Sequence, residues 1–331
     1  MAVFTPVDAA QVRALLQRMA LGEFKALHGI AGGIENTNYF LSTTRGEWVL
    51  TLFERLSAEQ LPFYLHLMKH LAQHGLPVPD PQALAGSGTI VLHLCGKPAC
   101  IVNRLQGHSQ REPSAAHCAA VGQALARMHL GGRDFALHQP NLRGLAWWQA
   151  TVPSVLPHIS AAQAELLRGE LAWQTAIAAS RAYAALPRGP VHGDLFRDNV
   201  LFDGERLSGL FDFYFAGVDC WLFDLAVCLN DWCVDPRSGA HDGARARALV
   251  AAYHGVRPLT DAEHTLFPDL LRAAALRFWL SRLWDFYLPR PAALLTPHDP
   301  AHFERIVRQR RNCPPSLDGL LLQESVSLQT P

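Results

Sequence analysis

Near residue 105 the period of the sequence changes, and that change limits the folds open to the chain. Up to VNRLQG (Val102 to Gly107) the apolar residues come in short alternating runs broken by Gly, Pro and Asn. Beyond LQGHSQREPS they recur at helical spacing for most of the remaining length. A doubly wound sheet would interleave the two patterns. Strands first and helices after give an α+β protein with a smaller strand-rich lobe, 1–105, and a larger helical one, 106–331. The 331 residues suit two units at about 150 residues each. A hydrophobic content of 49% supplies a core for both.

Within the first lobe, Thr5-Pro6-Val7-Asp8 reads as a helix start with Thr5 as the cap, and the helix runs to about Leu21. Phe24–Ile30, Asn38–Thr43 and Glu47–Phe53 follow as an antiparallel meander. Ser57 to Gln60 resembles a second cap before the amphipathic LPFYLHLMKHLAQHG, which Gly75 ends. TIVLHLCGKPACIVNRL reads as a hairpin. The second lobe carries helices near 115–130, 160–185, 220–234, 243–255 and 261–288, and a short hairpin at 200–213 turns at Asp203-Gly204. The polar tail after Cys313 reads as disordered.

Charge excludes two classes of partner. Lys+Arg and Asp+Glu number 29 each, whereas binders of nucleic acid or anionic membranes are normally basic. Seven scattered Cys without a CxxC pair read as reduced thiols. No basic n-region precedes an apolar run at the N-terminus, and no apolar stretch reaches the roughly 20 residues a bilayer demands. The expected location is the cytoplasm.

GPVHGDLFRDNVLF (Gly189 to Phe202) carries His192, Asp194 and Asn199 between two apolar strand ends. Phosphoryl transfer needs this set: one Asp orients the acceptor hydroxyl and takes its proton, and an Asn on the same loop ligates Mg²⁺. A second carboxylate must reach the metal, and Asp212 in LSGLFDFYF comes just after the hairpin over 200–211, whose open end Asn199 and Asp212 flank. Carboxylate and amide oxygens suit a hard cation. A metallohydrolase built on His192 would want further His at fixed spacing, which the dispersed His do not offer. Asp224 lies inside the apolar DCWLFDLAVCL, where a carboxylate needs partners; it is expected to brace the catalytic loop, with Asp219 as the helix cap. The Gly32-Gly33 turn, with Asn36, lets backbone approach phosphates. Val102 and Arg104 lie on the linker, where a base docks on backbone groups.

The lobe order and HGDxxxxN followed by Asp212 resemble the aminoglycoside phosphotransferase and choline kinase group, a protein-kinase-like fold. GGIENTNYFLST, WVLTLFE, VHGDLFRDNVLF, LSGLFDFYFAGVDCWLFDLAVCLNDWC and ALRFWLSRLWDF are similar, in order, to the homoserine kinases of this group. The resemblance implies ATP and Mg²⁺ as cofactors and L-homoserine as the small-molecule acceptor, on the way to threonine. It makes Asp194 the base, His192 its loop support, and Asn199 and Asp212 the metal ligands. Thr51 stands where kinases of this fold carry a Lys for the α- and β-phosphates, with Arg55 or Lys25 as substitutes; a pseudokinase would share that feature but not the intact Asp194, Asn199 and Asp212. Another acceptor, such as an aminoglycoside, choline or methylthioribose, keeps the same fold. Homoserine presents a carboxylate and an ammonium. Arg277, Arg282 and Asp285 on one helix are candidates to bind them, as are Tyr214 and Asp231. Arg277 and Asp285 can equally pair with each other, being eight residues apart.

Overall fold

A computed structural model describes residues 4–30, 36–288 and 298–321. They divide into two compact units. The first comprises the described residues up to Gln106 together with Gly209–Phe211; the second comprises Gly107–Ser208 and the described residues from Asp212 onward.

In the first unit, helix α1 (Ala9–Leu16) precedes strands β1 (Phe24–Gly29), β2 (Asn36–Thr43) and β3 (Gly46–Phe53). Helix α2 (Pro62–Gln73) and strands β4 (Leu92–Leu94) and β5 (Lys97–Asn103) complete it. The sheet is antiparallel in the order β1-β2-β3-β5-β4. Strand β2 shows why the register is fixed: Thr37, Tyr39, Leu41 and Thr43 are buried while the residues between them are not. A slip by one residue would turn all four out of the core. The inward side chains join Leu50, Leu52 and Ile101 and are covered by Val12, Leu15 and Leu16 of α1. Burial of each large side chain contributes about 1.5–3 kcal/mol. The β4–β5 turn has Cys95 at φ 52° and Gly96 at φ 73°, the paired left-handed residues of a tight hairpin.

Helix α1 begins later than Thr5. Asp8 is its cap, accepting from the Gln11 N–H at 2.8 Å while Gln11 accepts from the Asp8 N–H at 2.9 Å. Thr5 instead donates to Glu54 at 2.7 Å. The helix stops at Leu16, short of Leu21. Ser57 to Gln60 forms a turn of its own, in which Gln60 accepts the Ser57 N–H, and α2 starts at Pro62.

The second unit is mostly helical: α3 (Ala115–Gly131), α4 (Leu145–Val155), α5 (Ala161–Ala178) and α6 (Arg181–Ala184) come first. Strands β6 (Arg188–Val191), β7 (Val200–Asp203), β8 (Arg206–Leu210, whose last two residues count with the first unit) and β9 (Gly217–Cys220) follow, then α7 (Trp221–Trp232), α8 (Gly243–Val256), α9 (Asp261–Tyr287), α10 (Ala301–Asn312) and α11 (Leu317–Leu321). Strand β6 pairs with β9, and β7 with β8. The expected 160–185 helix is two, because Ser180 caps a new start by accepting the Tyr183 N–H at 3.1 Å. Residue 220, not Asp219, caps α7. Helix α7 is apolar on every side, and all its residues but Asp231 are buried, as suits a central helix. The tail read as disordered opens with α11, whose Leu317 and Leu320 are buried; residues 322–331 lie outside the described residues. No helix among the described residues is long and apolar enough to cross a membrane.

Candidate active site

Strand β6 delivers the chain to His192, and the loop that follows is pinned almost residue by residue. Gly193 has φ +74°, and a Cβ there would lie 2.8 Å from the Phe215 carbonyl oxygen. Only glycine fits a left-handed position with so close a backbone neighbour. Asp224 of α7, fully buried, accepts the His192 N–H at 2.7 Å and the Gly193 N–H at 2.9 Å. Burial pushes its carboxyl up, but the bond from His129 and the His192 contacts outweigh that, and it ends below the ordinary carboxylate value. Loss of the carboxylate would orphan two buried N–H donors at once.

A row of buried groups fixes His129 in turn. Its Nε2 lies 3.2 Å from Asp224, and its Nδ1 lies 2.7 Å from the Tyr253 hydroxyl. Tyr253 accepts from Arg257 Nε at 2.8 Å, and Arg257 Nη2 binds Glu263. Burial holds His129 below its ordinary value. A neutral imidazole then donates from Nε2 to Asp224 and accepts at Nδ1 from Tyr253, so every group in the row has a partner.

Past Asp194 the loop is held from α7 and α9. The Leu195 carbonyl accepts from Trp232 Nε1 at 2.9 Å. Phe196 packs on Phe278, ring centroids 4.3 Å apart. The Arg197 N–H and Nε both donate to Asp231 Oδ2, at 2.8 and 3.2 Å, and Arg197 Nη1 donates to the Arg111 carbonyl at 2.8 Å. Asp231, expected toward an acceptor, thus serves the loop itself.

Asp194 is left with its carboxylate largely unencumbered. Its own N–H meets His192 Nδ1 at 3.3 Å, and His192 is fully buried with its ring 4.5 Å from that of Phe213. Burial pushes the Asp194 carboxyl up to about 8; Arg277 works against that shift, while Asp212, Asp198 and Asp231 reinforce it. Arg277 Nη1 lies 3.9 Å from Asp194 Oδ1. The guanidinium is 4% exposed, sits 3.7 Å from the Phe278 ring centroid, and burial brings it down to about 10. The sequence left Arg277 and Asp285 open between binding an acceptor and pairing with each other; in the structure Arg277 faces Asp194, and Asp285 is a further electrostatic neighbour. Arg282 lies 4.5 Å from the Phe303 ring centroid and is also brought down by burial. Tyr214 is half-buried in the turn Phe213–Phe215.

Two oxygen donors stand beside Asp194. Asn199 donates its amide N–H to the Asp194 carbonyl at 2.8 Å, which leaves the amide oxygen to serve as a ligand. It immediately precedes β7, and Asp212 follows β8, so the hairpin's open end carries both. Asp212 adopts φ 67°, ψ 58°. That left-handed conformation is costly for a residue with a side chain, and the buried Phe213 next to it anchors the turn. A carboxylate and an amide oxygen are the donors a hard divalent cation takes, so these residues fit Mg²⁺.

The nucleotide candidates of the first unit fare unevenly. Gly32 and Gly33 lie outside the described residues. Asn36 opens β2 opposite Phe53. Thr51 is buried and donates to Asn38 Oδ1 at 2.7 Å. Lys25 and Arg55 are exposed. Val102 lies within the ladder between Val49 and Pro81. Arg104 donates its N–H to the Glu47 carbonyl at 3.1 Å and lays its guanidinium 3.9 Å from the Phe40 ring centroid. Those pairings commit the backbone that was expected to receive a base.

Residues 26–259 match the family described as the phosphotransferase enzyme family. A homoserine kinase of Polaromonas naphthalenivorans (strain CJ2) is 60% identical over 310 residues, 94% of this chain and 98% of that one. A homoserine kinase of Ralstonia nicotianae (strain ATCC BAA-1114 / GMI1000) is 58% identical over 321 residues, 94% and 96% of the two chains. Among solved structures, an amicoumacin kinase in complex with AMP-PNP, Ca²⁺ and Ami superposes with a TM-score of 0.67 at 17% identity, covering 92% of this chain and 93% of that one. A choline/ethanolamine kinase family protein from Mesorhizobium loti gives 0.61 at 19%, covering 91% and 93%. These likenesses show the fold to be the protein-kinase-like one.

Proposed function

The chain belongs to the phosphotransferase enzyme family, and from that premise we propose that it transfers the γ-phosphoryl group of ATP to the side-chain hydroxyl of L-homoserine, giving O-phospho-L-homoserine and ADP. The observation that carries the acceptor is the 60% identity, over nearly the whole of both chains, to a protein named homoserine kinase. The lobes 1–105 and 106–331 are taken as the nucleotide side and the acceptor side.

In this reading Asp194 faces the acceptor hydroxyl, orients it and accepts its proton as the oxygen attacks. The bonds of Asp224 to the His192 and Gly193 N–H groups, and of Arg197 to Asp231, hold the Asp194 side chain at one place in the site, and such positioning is where much of the rate in phosphoryl transfer comes from. Asn199 and Asp212 would hold Mg²⁺, which when bound supplies charge neutralisation on the transferring phosphoryl group. Arg277 takes the acceptor's α-carboxylate. Homoserine's carboxylate and hydroxyl oxygens lie about 4–6 Å apart, a span compatible with a guanidinium whose Nη1 is 3.9 Å from the base. Arg282 stands nearby as a second cation.

The test is ADP release by the purified protein with Mg-ATP and, in turn, L-homoserine, choline, methylthioribose and kanamycin. Saturable turnover with L-homoserine alone is expected. Turnover with another of the four instead would discard homoserine while keeping the phosphotransferase.

A further inference from the structure

Helix α10 buries a cation with no anionic partner among the described residues. Arg310 is fully buried, and Nη1 and Nη2 of its guanidinium have no hydrogen-bond partner among the described residues. Only Nε is satisfied, donating to Asn230 Oδ1 at 2.9 Å. Asn230 in turn donates to the Leu271 carbonyl at 2.8 Å, so its amide is fixed between α7, α9 and α10.

Among the described residues, two titratable groups that feel Arg310 are neutral. Cys233 is its electrostatic neighbour, and burial pushes that thiol well above its ordinary value, so it carries no charge near pH 7. His241 is close enough to feel Arg310; burial first, and then Arg310, bring it to about 4, which leaves a neutral imidazole. Both ring nitrogens of His241 are also buried without partners. Asp242, beside it in sequence, spends its carboxylate on Arg245 at 2.8 Å. A buried guanidinium with uncompensated charge costs several kcal/mol, and chains normally supply a carboxylate to prevent that. Here the protein supplies instead two parallel donors and an imidazole able to donate a third N–H.

We infer that Arg310 Nη1 and Nη2, with His241, form a buried binding site for a small monovalent anion, of chloride or nitrate size. This goes beyond the phosphotransferase reading. Its consequence for that reading runs through α7: Asn230, fixed by Arg310, precedes Asp231, the residue that grips Arg197 in the catalytic loop. Occupancy steadies the end of α7 that the loop hangs from.

The experiment compares thermal unfolding of the full-length protein in sodium chloride, sodium nitrate and sodium gluconate at equal ionic strength, gluconate being too bulky to enter. A saturable rise in Tm of about 2 °C or more in chloride or nitrate is expected. Arg310→Met should lose that increment, and His241→Ala should shift its midpoint to higher salt. Equal Tm values for the unmodified protein in all three salts would overturn the site, as would an increment that survives in Arg310→Met. Should Arg310→Met not fold, a crystal grown in sodium bromide decides: an anomalous peak at the Arg310 Nη edge supports the site, and ordered water there without bromide overturns it.

Discussion

The loop from His192 to Asn199 in the second unit and strand β3 of the first treat charge in opposite ways. Between His192 and Asn199 the chain keeps its ionisable groups and surrounds them with buried partners. Asp224, His129, Tyr253, Arg257 and Glu263 form one connected row behind the loop. On β3 the position that the resemblance matches to a kinase Lys is Thr51, whose hydroxyl bonds sideways to Asn38. The difference teaches where this protein can be altered. The loop's groups hold one another in place, so removing one disturbs several. Thr51 holds only its neighbour on β2.

The largest expected effect is at the proposed base. Asp194→Ala should lower kcat by about 10²–10⁴ while ATP binding, followed by calorimetry, stays near that of the unmodified enzyme. Unchanged turnover would remove Asp194 from the mechanism. Next comes the brace. Asp224→Ala should cost about 3–5 kcal/mol of stability, because two buried N–H donors and His129 lose their acceptor together. Denaturant unfolding measures it; a loss below about 1 kcal/mol would mean that the row behind the loop is not coupled to it.

Arg277 separates binding from chemistry. Arg277→Met should raise KM for homoserine about 10- to 100-fold, the worth of one charge-assisted pair, with a smaller change in kcat. A fall in kcat with KM kept would recast Arg277 as a group that only orients Asp194. The same pair gives a pH dependence. In the folded protein Asp194 titrates near 8, above its ordinary value of 3.8. Between those values the folded state binds the proton that the unfolded state has released. Stability of the metal-free protein should therefore fall as pH rises from about 5 to 8, and Asp194→Asn should flatten that slope. A slope that persists in Asp194→Asn assigns it to another group.

What was legible in the sequence follows from range. The β2 and β3 alternation, the Gly75 stop and the loop residues Asp194 and Asn199 are local patterns, readable within about ten residues. The row behind the loop is not local: His129 meets Asp224 across 95 positions and Tyr253 across 124. The only local hint was a histidine in the apolar ALARMHL. Strands β6 and β9 have four residues each and pair across a long loop, too short for a period to register. Helix α4 carries Pro153, which reads as a breaker, and α10 is so rich in Arg that its buried Phe303, Ile306 and Val307 are easily passed over. Thr5 misled as a cap because Asp8, three residues on, does the same task better, and because Glu54, remote in sequence, claims the Thr5 hydroxyl.

The smallest expected effect tests the other half of the comparison. Thr51→Val keeps the shape and removes the hydroxyl, leaving Asn38 Oδ1 without its donor, so stability should fall by about 1 kcal/mol with kcat little changed. Thr51→Lys asks the sharper question. If the site had merely lost a cation that phosphate binding still wants, restoring it should tighten ATP. The structure argues otherwise: Thr51 is 6% exposed and its neighbour Asn38 offers no charge. Helix α2 carries no Asp or Glu to play the part of the carboxylate that holds such a Lys in kinases of this fold, so an ammonium placed there is costly to desolvate. Thr51→Lys should therefore lower Tm without lowering the KM for ATP. A lower KM for ATP at unchanged Tm would break the contrast, and would make β3 a phosphate-binding strand that has lost one part rather than one built without it.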